Sequence, residues 1–394
     1  MKNLFVILVM LVAMNANAQW VQMSNGMGTD KKVFSLAAKD NLIFAGTNTN
    51  GIYISSNNGL SWYQSSLGNI SVNAIHVEGS DIYVGTSYTG VYRSNDNGTN
   101  WIQTSLNAST VYSLASNTYY VFAGYDSGIC KTTNKGETWT YNDKPSTRSF
   151  LANGNYVLAG TMGGVYISTN YGQSFSYGTM SSNFFLSLSF HNNIIFGGLA
   201  YYGIYKSTDN GMNWSATTLD TVTNRTFAKY NNNLLAGCGS GVYLTNNNGV
   251  NWVQKNEGMS GNYWVSSMII SNGFIYAGTP YQGLWRRPLS DITSINEITG
   301  VVSVSYSLSQ NYPNPFNPVT KIKFDVPSVK QASLFVNLKV FDITSREIQT
   351  LVNESLKPGT YEATFDGSKL NSGVYFYKMT AGNYSETRKM LMIK

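Results

Sequence analysis

The sequence predicts an all-β protein: a seven-bladed β-propeller with short four-stranded blades, followed by an immunoglobulin-like β-sandwich. Three observations predict this fold: a turn motif that occurs six times, a strand phrase that occurs seven times, and an amino-terminal segment that matches the last copy of the strand after the turn. A repeat of about 38 residues is typical of propellers, whose blades are sheets of four short strands.

The six turns share the pattern Ser/Thr-x-Asp/Asn-x-Gly-x-x-Trp/Phe, and their glycines recur every 36 to 39 residues. The Asp or Asn side chain can accept backbone N–H groups and close a turn, and glycine adopts positive φ at little steric cost. The aromatic residue then opens the next strand and can bury its ring against a neighbouring blade. The motif positions are Asn57, Gly59 and Trp62; Asp96, Gly98 and Trp101; Asn134, Gly136 and Trp139; Asn170, Gly172 and Phe175; Asp209, Gly211 and Trp214; and Asn247, Gly249 and Trp252.

Upstream of each turn, a phrase of alternating β-branched and aromatic residues leads to a Gly and a second strand, as in Ile43–Thr47 and Gly51–Ile54. Runs of this kind, bounded by Gly and Asn, predict short strands. A further apolar strand precedes each phrase and another follows each turn, which gives four strands per repeat. The strand phrase occurs seven times but the turn only six times, so the outer strand of one blade must come from another part of the chain.

The missing strand is predicted at the amino terminus. Residues 19–27 (QWVQMSNGM) closely match residues 251–259 (NWVQKNEGM), which contain the outer strand after the sixth turn. We therefore expect the first strand to be the outer strand of the seventh blade, whose other three strands lie within 265–289. This pairing would close the ring non-covalently and leave no free sheet edge, so that the propeller spans 19–289.

The turns resemble Asp-box (BNR) repeats, and residues 20–289 resemble YVTN/BNR-like β-propellers. That superfamily includes sialidases, xyloglucanases, the sortilin ectodomain and photosystem II assembly factors. In these families the turn is a structural device, so the resemblance implies the fold and implies nothing about catalysis. This sequence departs from the motif because only Asp96 and Asp209 keep the Asp; the other four turns carry Asn, which can form the same turn.

Residues 1–18 have the pattern of a secretory signal peptide: a basic tip with Lys2, an apolar run and an Ala-x-Ala end. We expect cleavage after Ala18, which leaves Gln19 as the first residue. A membrane anchor is the alternative, but the apolar run is too short to span a bilayer. Because no later stretch reaches transmembrane length either, the sequence predicts no transmembrane segment.

Residues 290–305 contain no turn phrase and are predicted to be a linker. Four of the chain's eight prolines then lie between 313 and 327, beginning in the segment NYPNPFNP at 311–318. Proline fixes φ and removes a backbone donor, so this segment predicts an extended start to a new domain. The alternating strands that follow predict a small β-sandwich over 306–394.

Residues 306–394 resemble the type A sorting domain of the type IX secretion system, which is found in Bacteroidota and their relatives. The resemblance rests on the NYPNPFNP segment, the strand at Leu370–Tyr375 and the basic end at Lys389–Lys394. It implies a partner, the type IX machinery, and export of a periplasmic intermediate to the outer-membrane surface or the medium. An ordinary immunoglobulin-like adhesion module is the alternative.

The charge distribution argues against a nucleic-acid partner. The formal charge is +6, but residues 20–304 hold 14 Lys/Arg against 13 Asp/Glu, so the propeller is almost neutral. Binding to nucleic acid relies largely on neutralising phosphates. Cys130 and Cys238 lie on separate blades and are expected to be free thiols, and neither the cysteines nor His76 and His191 have metal-site spacing. No cofactor or metal is expected.

Ligands usually bind a propeller on the face that carries the loops between second and third strands. Here those loops supply several tyrosines and one carboxylate, which we predict to be the ligand-binding residues: Tyr88, Tyr125, Asp126, Tyr201, Tyr202 and Tyr281. Tyrosine rings could stack on sugars or hold a peptide. The alternative is that tyrosine is simply abundant, since the chain has 28.

No catalytic residues are predicted. A glycosidase needs two facing carboxylates, and nothing in the sequence pairs the candidates on this face, which are Asp126, Asp143, Asp220 and Glu257. A sialidase-like site would also need an arginine cluster for the substrate carboxylate. The arginines of the propeller are scattered: Arg93, Arg148, Arg225, Arg286 and Arg287.

The leading hypothesis is therefore a secreted or cell-surface, non-catalytic and monomeric propeller that binds a glycan or a protein. Two alternatives stay open: a polysaccharide-acting glycoside hydrolase with a minimal site, and a structural surface or adhesion component. A pocket with two carboxylates would favour the hydrolase, a tyrosine-rich face would favour binding, and a featureless face would favour the structural role.

Overall fold

A computed structural model describes residues 19–28, 31–289, 295–299, 305–327, 334–356, 358–368 and 370–394. The predicted signal peptide, with its cleavage position at Ala18, and most of the predicted linker lie outside these ranges. The described residues form nine four-stranded antiparallel sheets. The all-β fold predicted from the sequence is confirmed.

Seven of the sheets are the blades of a propeller, and in six of them the four strands follow one another along the chain. The first blade contains β2 (Val33–Lys39), β3 (Leu42–Thr47), β4 (Ile52–Ser55) and β5 (Tyr63–Gln64), and the second contains β6 (Val72–Glu78), β7 (Asp81–Thr86), β8 (Val91–Ser94) and β9 (Ile102–Gln103). The third contains β10 (Val111–Ser116), β11 (Val121–Tyr125), β12 (Gly128–Thr132) and β13 (Thr140–Asp143), and the fourth contains β14 (Thr147–Asn153), β15 (Tyr156–Thr161), β16 (Gly164–Ser168) and β17 (Ser176–Tyr177). The fifth contains β18 (Phe185–His191), β19 (Ile194–Leu199), β20 (Gly203–Ser207) and β21 (Ser215–Ala216), and the sixth contains β22 (Asn224–Tyr230), β23 (Asn233–Cys238), β24 (Gly241–Thr245) and β25 (Val253–Gln254).

The seventh blade is closed by the amino terminus. Its strands β26 (Ser267–Ser271), β27 (Phe274–Thr279) and β28 (Gly283–Pro288) come from the end of the propeller, and its outer strand is β1 (Val21–Gln22). Strand β1 runs antiparallel to β28, with Val21 opposite Arg286. The closure predicted from the match between 19–27 and 251–259 is confirmed.

The first strand of each blade lines the axis of the ring. These strands contact one another in sequence around the ring, and the last contact, between β26 and β2, completes it. Neighbouring blades approach closely at a glycine of the second strand. A Cβ at Gly46 would lie 2.6 Å from Cγ1 of Val72 in the next blade, and a Cβ at Gly85 would lie 2.6 Å from Cγ1 of Val111. Only glycine leaves room for these valines.

All six turns have the same local structure. The hydroxyl of Ser55 donates to Oδ1 of Asn57 at 3.0 Å and accepts the N–H of Gly59 at 2.9 Å, and the other five turns repeat both bonds. The residue before each glycine adopts positive φ, for example 57° at Asn58. The aromatic residue then reaches a neighbouring blade, as where Nε1 of Trp62 donates to the carbonyl of Met23 at 2.8 Å.

The remaining two sheets form the carboxyl-terminal β-sandwich. One contains β30 (Ser307–Leu308), β31 (Val319–Val326), β34 (Gly359–Asp366) and β29 (Ile295–Thr299); the other contains β33 (Glu347–Leu356), β32 (Leu334–Phe341), β35 (Gly373–Ala381) and β36 (Tyr384–Met392). A core of fully buried side chains from both sheets includes Phe324, Val340 and Met390. Phe316 of the proline-rich segment is buried and exchanges backbone hydrogen bonds with the last strand, through Leu391 and Ile393.

Candidate ligand-binding face

One face of the propeller carries exposed tyrosine rings around the axis. The loops that join the second and third strands lie there, because the strands of each blade alternate in direction. Four of the tyrosines predicted from the sequence are exposed on these loops: Tyr88 by 82%, Tyr201 by 79%, Tyr281 by 63% and Tyr202 by 55%. Tyrosines are exposed elsewhere on the propeller as well, such as Tyr63 and Tyr119, but the two most exposed of its tyrosines, Tyr88 and Tyr201, lie on these loops.

Tyr88 and Tyr201 share an unusual backbone conformation. Their φ angles are 67° and 70°, in the left-handed region that bulky residues rarely occupy. In both, the backbone N–H donates to a threonine hydroxyl of the following inter-blade loop, Thr110 at 3.2 Å and Thr223 at 3.0 Å. The two loops are therefore held in the same strained form, with the rings outward. Strain of this kind concentrates at functional sites.

Tyr125 and Asp126 have different surroundings from the other predicted residues. Tyr125 is the last residue of β11, is only 7% exposed and packs edge-on against Tyr141. Burial raises the pKa of Tyr125 to about 12. Asp126 accepts hydrogen bonds from the hydroxyl of Tyr112 at 2.7 Å and from the backbone N–H of Thr110 at 3.2 Å. Tyr125 therefore offers no free ring face, and Asp126 orients Tyr112.

A cavity of about 490 Å³ opens on the axis of the ring. Its wall is formed by the inner strands of all seven blades, near their first residues. At corresponding positions of the seven strands stand Phe34, Asn73, Tyr112, Arg148, Leu186, Arg225 and Ser266. The cavity is large enough for a small ligand or for one sugar unit of a longer chain.

Two arginines meet at this cavity, which was not predicted from the sequence. The guanidinium carbon of Arg148 lies 3.4 Å from the centre of the Tyr112 ring, and that of Arg225 lies 4.9 Å from the Trp264 ring. Among the described residues neither arginine forms an ion pair with a carboxylate. Burial lowers the pKa of Arg225, and the nearby positive charge of Arg148 lowers it further.

The sequence did hold a signal for this pair. Residues 147–150 read Thr-Arg-Ser-Phe and residues 224–227 read Asn-Arg-Thr-Phe, so both arginines occupy the same position of the repeat. That position lies at the start of an inner strand and lines the cavity in every blade. Aligning the repeats by their inner strands, rather than by their turns, would have placed both arginines on the axis.

The carboxylates give little support to hydrolysis. Glu257 forms an ion pair with the buried Arg287 at 2.7 Å, and Asp126 is engaged by Tyr112. Both therefore stabilise the fold. Asp143, the last residue of β13, and Asp220 are exposed. A glycosidase mechanism requires two carboxyl groups about 5–10 Å apart across the scissile bond, and no contact in the structure brings Asp143 and Asp220 together.

Away from this face, Ser116 lies beside His76 and Glu78, the residue types of a hydrolase triad. The hydroxyl of Ser116 lies 2.8 Å from Nε2 of His76 and also donates to Oε2 of Glu78. In a catalytic triad the carboxylate binds the other ring nitrogen of the histidine and orients it. Here the carboxylate binds the serine itself, so this group lacks the arrangement that activates a nucleophile.

The cysteines and the possible metal ligands form no reactive site among the described residues. Cys130 and Cys238 are free and buried, as expected, and burial raises the pKa of the Cys238 thiol to about 12. Across the ranges that the structure describes, no three His, Cys, Asp or Glu side chains are grouped so as to hold a metal ion. Within the same ranges, no helix is long and apolar enough to cross a membrane.

The fold and its tail define an exported β-propeller protein. Residues 310–394 match the family of secretion system C-terminal sorting domains. The chain therefore carries a type IX sorting tail, which directs it to the cell surface or the medium. No curated protein matches the chain significantly.

Similar solved structures support the propeller. One is YCF48 from Cyanidioschyzon merolae, with 15% identity and a TM-score of 0.54 over 69% of this chain and 98% of that chain. Two others are extracellular domains from B. thetaiotaomicron, both described as hybrid two-component systems. The first has 13% identity and a TM-score of 0.55 over 92% of this chain and 56% of that chain. The second has 11% identity and a TM-score of 0.56 over 95% and 59%. At these identities the likeness shows the fold alone, and the Asp-box family assignment stays a prediction.

Proposed function

We propose that this protein is a non-catalytic binding propeller, exported through its sorting tail, that holds a glycan or protein partner on its tyrosine-rich face. The observation that carries this proposal is the strained, outward presentation of Tyr88 and Tyr201 in matching loops of two blades. A positive φ at a bulky residue costs free energy of the order of 1–3 kcal/mol. A strained backbone at two equivalent positions is expected if the two tyrosine rings contact a ligand.

The domain organisation follows the same proposal. Residues 19–289 would be the binding module and residues 306–394 the export module. The predicted linker at 290–305 is not wholly a linker, because its residues 295–299 form strand β29, which pairs with β34 of the β-sandwich. A signal peptide at 1–18 would take the chain to the periplasm before type IX export. The binding module is proposed to act as a monomer, since its sheets close within one chain.

The test is a binding screen of the exported protein against glycan arrays and surface-protein extracts, with variants of the face. Tyr88→Asn and Tyr201→Asn remove the rings while keeping a residue that tolerates positive φ, and Tyr281→Ser covers the third loop. Truncating a central tyrosine of an interface typically costs more than 1 kcal/mol, so affinity should fall about tenfold per ring. Tyr63→Asn is the matched control, because Tyr63 is 55% exposed on the outer strand β5 of its blade.

The results separate the competing functions. Binding that is lost in the face variants and kept in Tyr63→Asn supports the proposal. Release of reducing sugar from a polysaccharide, abolished by Asp143→Asn or Asp220→Asn, would replace it with the hydrolase. Binding that is insensitive to all three tyrosines, or no binding at all, would favour a structural surface role.

A further inference from the structure

We propose that the ligand is an anionic glycan, and that Arg148 and Arg225 hold one of its carboxylate or sulfate groups at the mouth of the axial cavity. This inference rests on the proposed function and deepens it by naming the class of ligand. It depends on the arginine pair, on the state of their donors and on the tyrosines beside them.

The two arginine charges line one cavity. Arg148 on β14 and Arg225 on β22 stand on the inner strands of blades four and six, with only the blade of Leu186 between them. Two like charges that line one cavity repel each other, and the pKa of Arg225 is lowered by burial and by Arg148. An anion bound between them would offset this repulsion, because it attracts both charges.

Arg148 has a hydrogen-bond donor without a partner. Its Nε–H is buried and has no hydrogen-bond partner among the described residues, and one Nη lies 3.7 Å from the sulfur of Met162. The guanidinium group lies against the ring of Tyr112, and its planar fork of N–H groups is the kind that binds carboxylate or sulfate oxygens in parallel. Asp126 fixes this geometry, because it accepts the hydroxyl of Tyr112.

The surroundings of Arg225 favour a sugar over an acidic peptide as the ligand. Tyr201 and Tyr281, both largely exposed, lie on loops of the fifth and seventh blades, on either side of the sixth blade that carries Arg225, and both act to raise the pKa of Arg225. Flat aromatic rings beside a cationic pair suit a pyranose ring with a charged substituent, since the ring lies on tyrosine while the anion reaches arginine. Each blade is a separate four-stranded sheet whose outer strand is only two to four residues long, so an extended peptide would find little edge to which it could add as a strand.

The experiment is titration calorimetry of the full exported protein with three probes of similar length. These are an oligomer of galacturonic acid, the same oligomer fully methyl-esterified, and a sulfated galactose oligomer. The acidic probes should bind at least about tenfold more tightly than the neutral ester, because hydrogen bonds to an ionised group are stronger than those between neutral groups. Comparison of the two acidic probes shows which anion the site takes.

Two sets of variants test which residues cause the preference for the acidic probes. Arg148→Gln/Arg225→Gln should abolish the preference for the acidic probes, and Arg225→Gln alone should weaken it, which guards against a folding defect in the double variant. Lys321→Gln/Arg346→Gln removes the same charge from two exposed side chains of the β-sandwich and should leave binding unchanged. A circular dichroism melt of each variant confirms that it is folded.

The outcomes distinguish this inference from the proposed function. If the ester binds as well as the acid, or if the arginine variants keep full preference while the tyrosine variants lose binding, the binding function stands and the anionic ligand is wrong. If an acidic peptide such as oligoglutamate binds and none of the sugars does, the glycan class is wrong. If no probe or array component binds, both proposals fail.

Discussion

The indole Nε1 of Trp20 donates a hydrogen bond of 2.6 Å to the carbonyl oxygen of Lys255, a residue 235 positions further along the chain. The backbone N–H of Trp20 also donates to the carbonyl oxygen of Glu257 at 2.8 Å. The ring is 2% exposed and packs with side chains of the sixth and seventh blades, including Val242 and Trp285. Trp20 thus joins the start of the propeller to its last two blades.

Replacing Trp20 by Ala should open this closure. The change removes a large buried ring and its hydrogen bond, so we expect a loss of about 3–5 kcal/mol in the free energy of unfolding. Urea unfolding followed by tryptophan fluorescence or circular dichroism measures it. Val21→Ala is the matched control, because Val21 is the next residue on the same segment and is 54% exposed. Equal effects of the two changes would show that burial of Trp20 does not close the ring.

Blade-to-blade packing predicts a second effect, at Gly85. A methyl group there would lie 2.6 Å from Cγ1 and 3.0 Å from Cβ of Val111, whose short side chain cannot move aside. Gly85→Ala should therefore cost about 1–3 kcal/mol through overpacking. Gly154→Asn is the control, because nothing lies within 4 Å of the added atom and Asn tolerates the φ of 60°. A thermal melt of Gly85→Ala that matches the wild-type curve would contradict this packing.

In five of the six turns the choice between Asp and Asn follows the residue four positions on; the exception is Asn247, which is followed by Asn251. Oδ2 of Asp96 accepts the side-chain amide of Asn100 at 2.8 Å, whereas Nδ2 of Asn57 donates to the hydroxyl of Ser61 at 2.8 Å. Asp209 repeats the first arrangement, and Asn134 and Asn170 repeat the second. The two residue types therefore form equivalent turns, and only the Asp turns have a titratable group at this position of the motif.

This difference predicts how the turns respond to acid. Hydrogen bonds, chiefly from the backbone N–H and side chain of Asn100, lower the pKa of Asp96 from 3.8 to about 2, and the pKa of Asp209 is lowered in the same way by Asn213. A lowered pKa in the folded state stabilises the protein above the unfolded value, and that contribution is lost as pH falls from about 4 towards 2.

The variant Asp96→Asn/Asp209→Asn should remove this acid-dependent loss. At pH 7 its melting temperature should lie somewhat below the wild-type value, because the variant lacks the hydrogen bonds to an ionised carboxylate, while the other four turns show that Asn still forms the turn. Below pH 4 the melting temperature of the wild type should fall faster than that of the variant. The difference between the two melting temperatures should therefore narrow or change sign. Parallel pH profiles would contradict the assignment.

The two histidines predict a separate effect at milder pH. Burial lowers the pKa of both His76 and His191 below 6.5, against smaller opposing effects of Glu78 and the Asn232 carbonyl. The unfolded chain therefore binds more protons below pH 6.5, and stability should fall as pH is lowered from 7 towards 5. His76→Gln/His191→Gln should flatten the melting temperature over this window, and an unchanged slope would show that these histidines do not cause it.

Several parts of the fold could be predicted because they depend on local chemistry. A turn needs an acceptor, a glycine and an aromatic at fixed spacing, so six copies such as Asn57–Trp62 could be recognised without a structure. The match between Trp20 and Trp252 likewise identified the strand that closes the ring, because equivalent strands have similar sequences. The alternation around Phe324 predicted a sheet of the β-sandwich in the same way.

The candidate binding face was only partly predictable. The sequence indicated which loops carry tyrosines, but Tyr125 proved to be buried against Tyr141 while Tyr201 is exposed. Whether a tyrosine is exposed depends on the face of the sheet to which its side chain points at the end of the strand. A shift of one residue along the chain reverses that direction.

The sequence by itself determined the repeat, the number of blades, the closing strand and the export tail, because each depends on residues that lie close together in the chain or recur at a fixed period. Only the tertiary structure brought Arg148 beside Tyr112 and placed Arg225 on the same cavity, 77 positions along the chain. The reason is geometric: closing seven blades into a ring gathers one position from each inner strand around a common axis. The repeat pattern shows that Arg148 and Arg225 share that position, but only the folded ring shows which side chains lie against them.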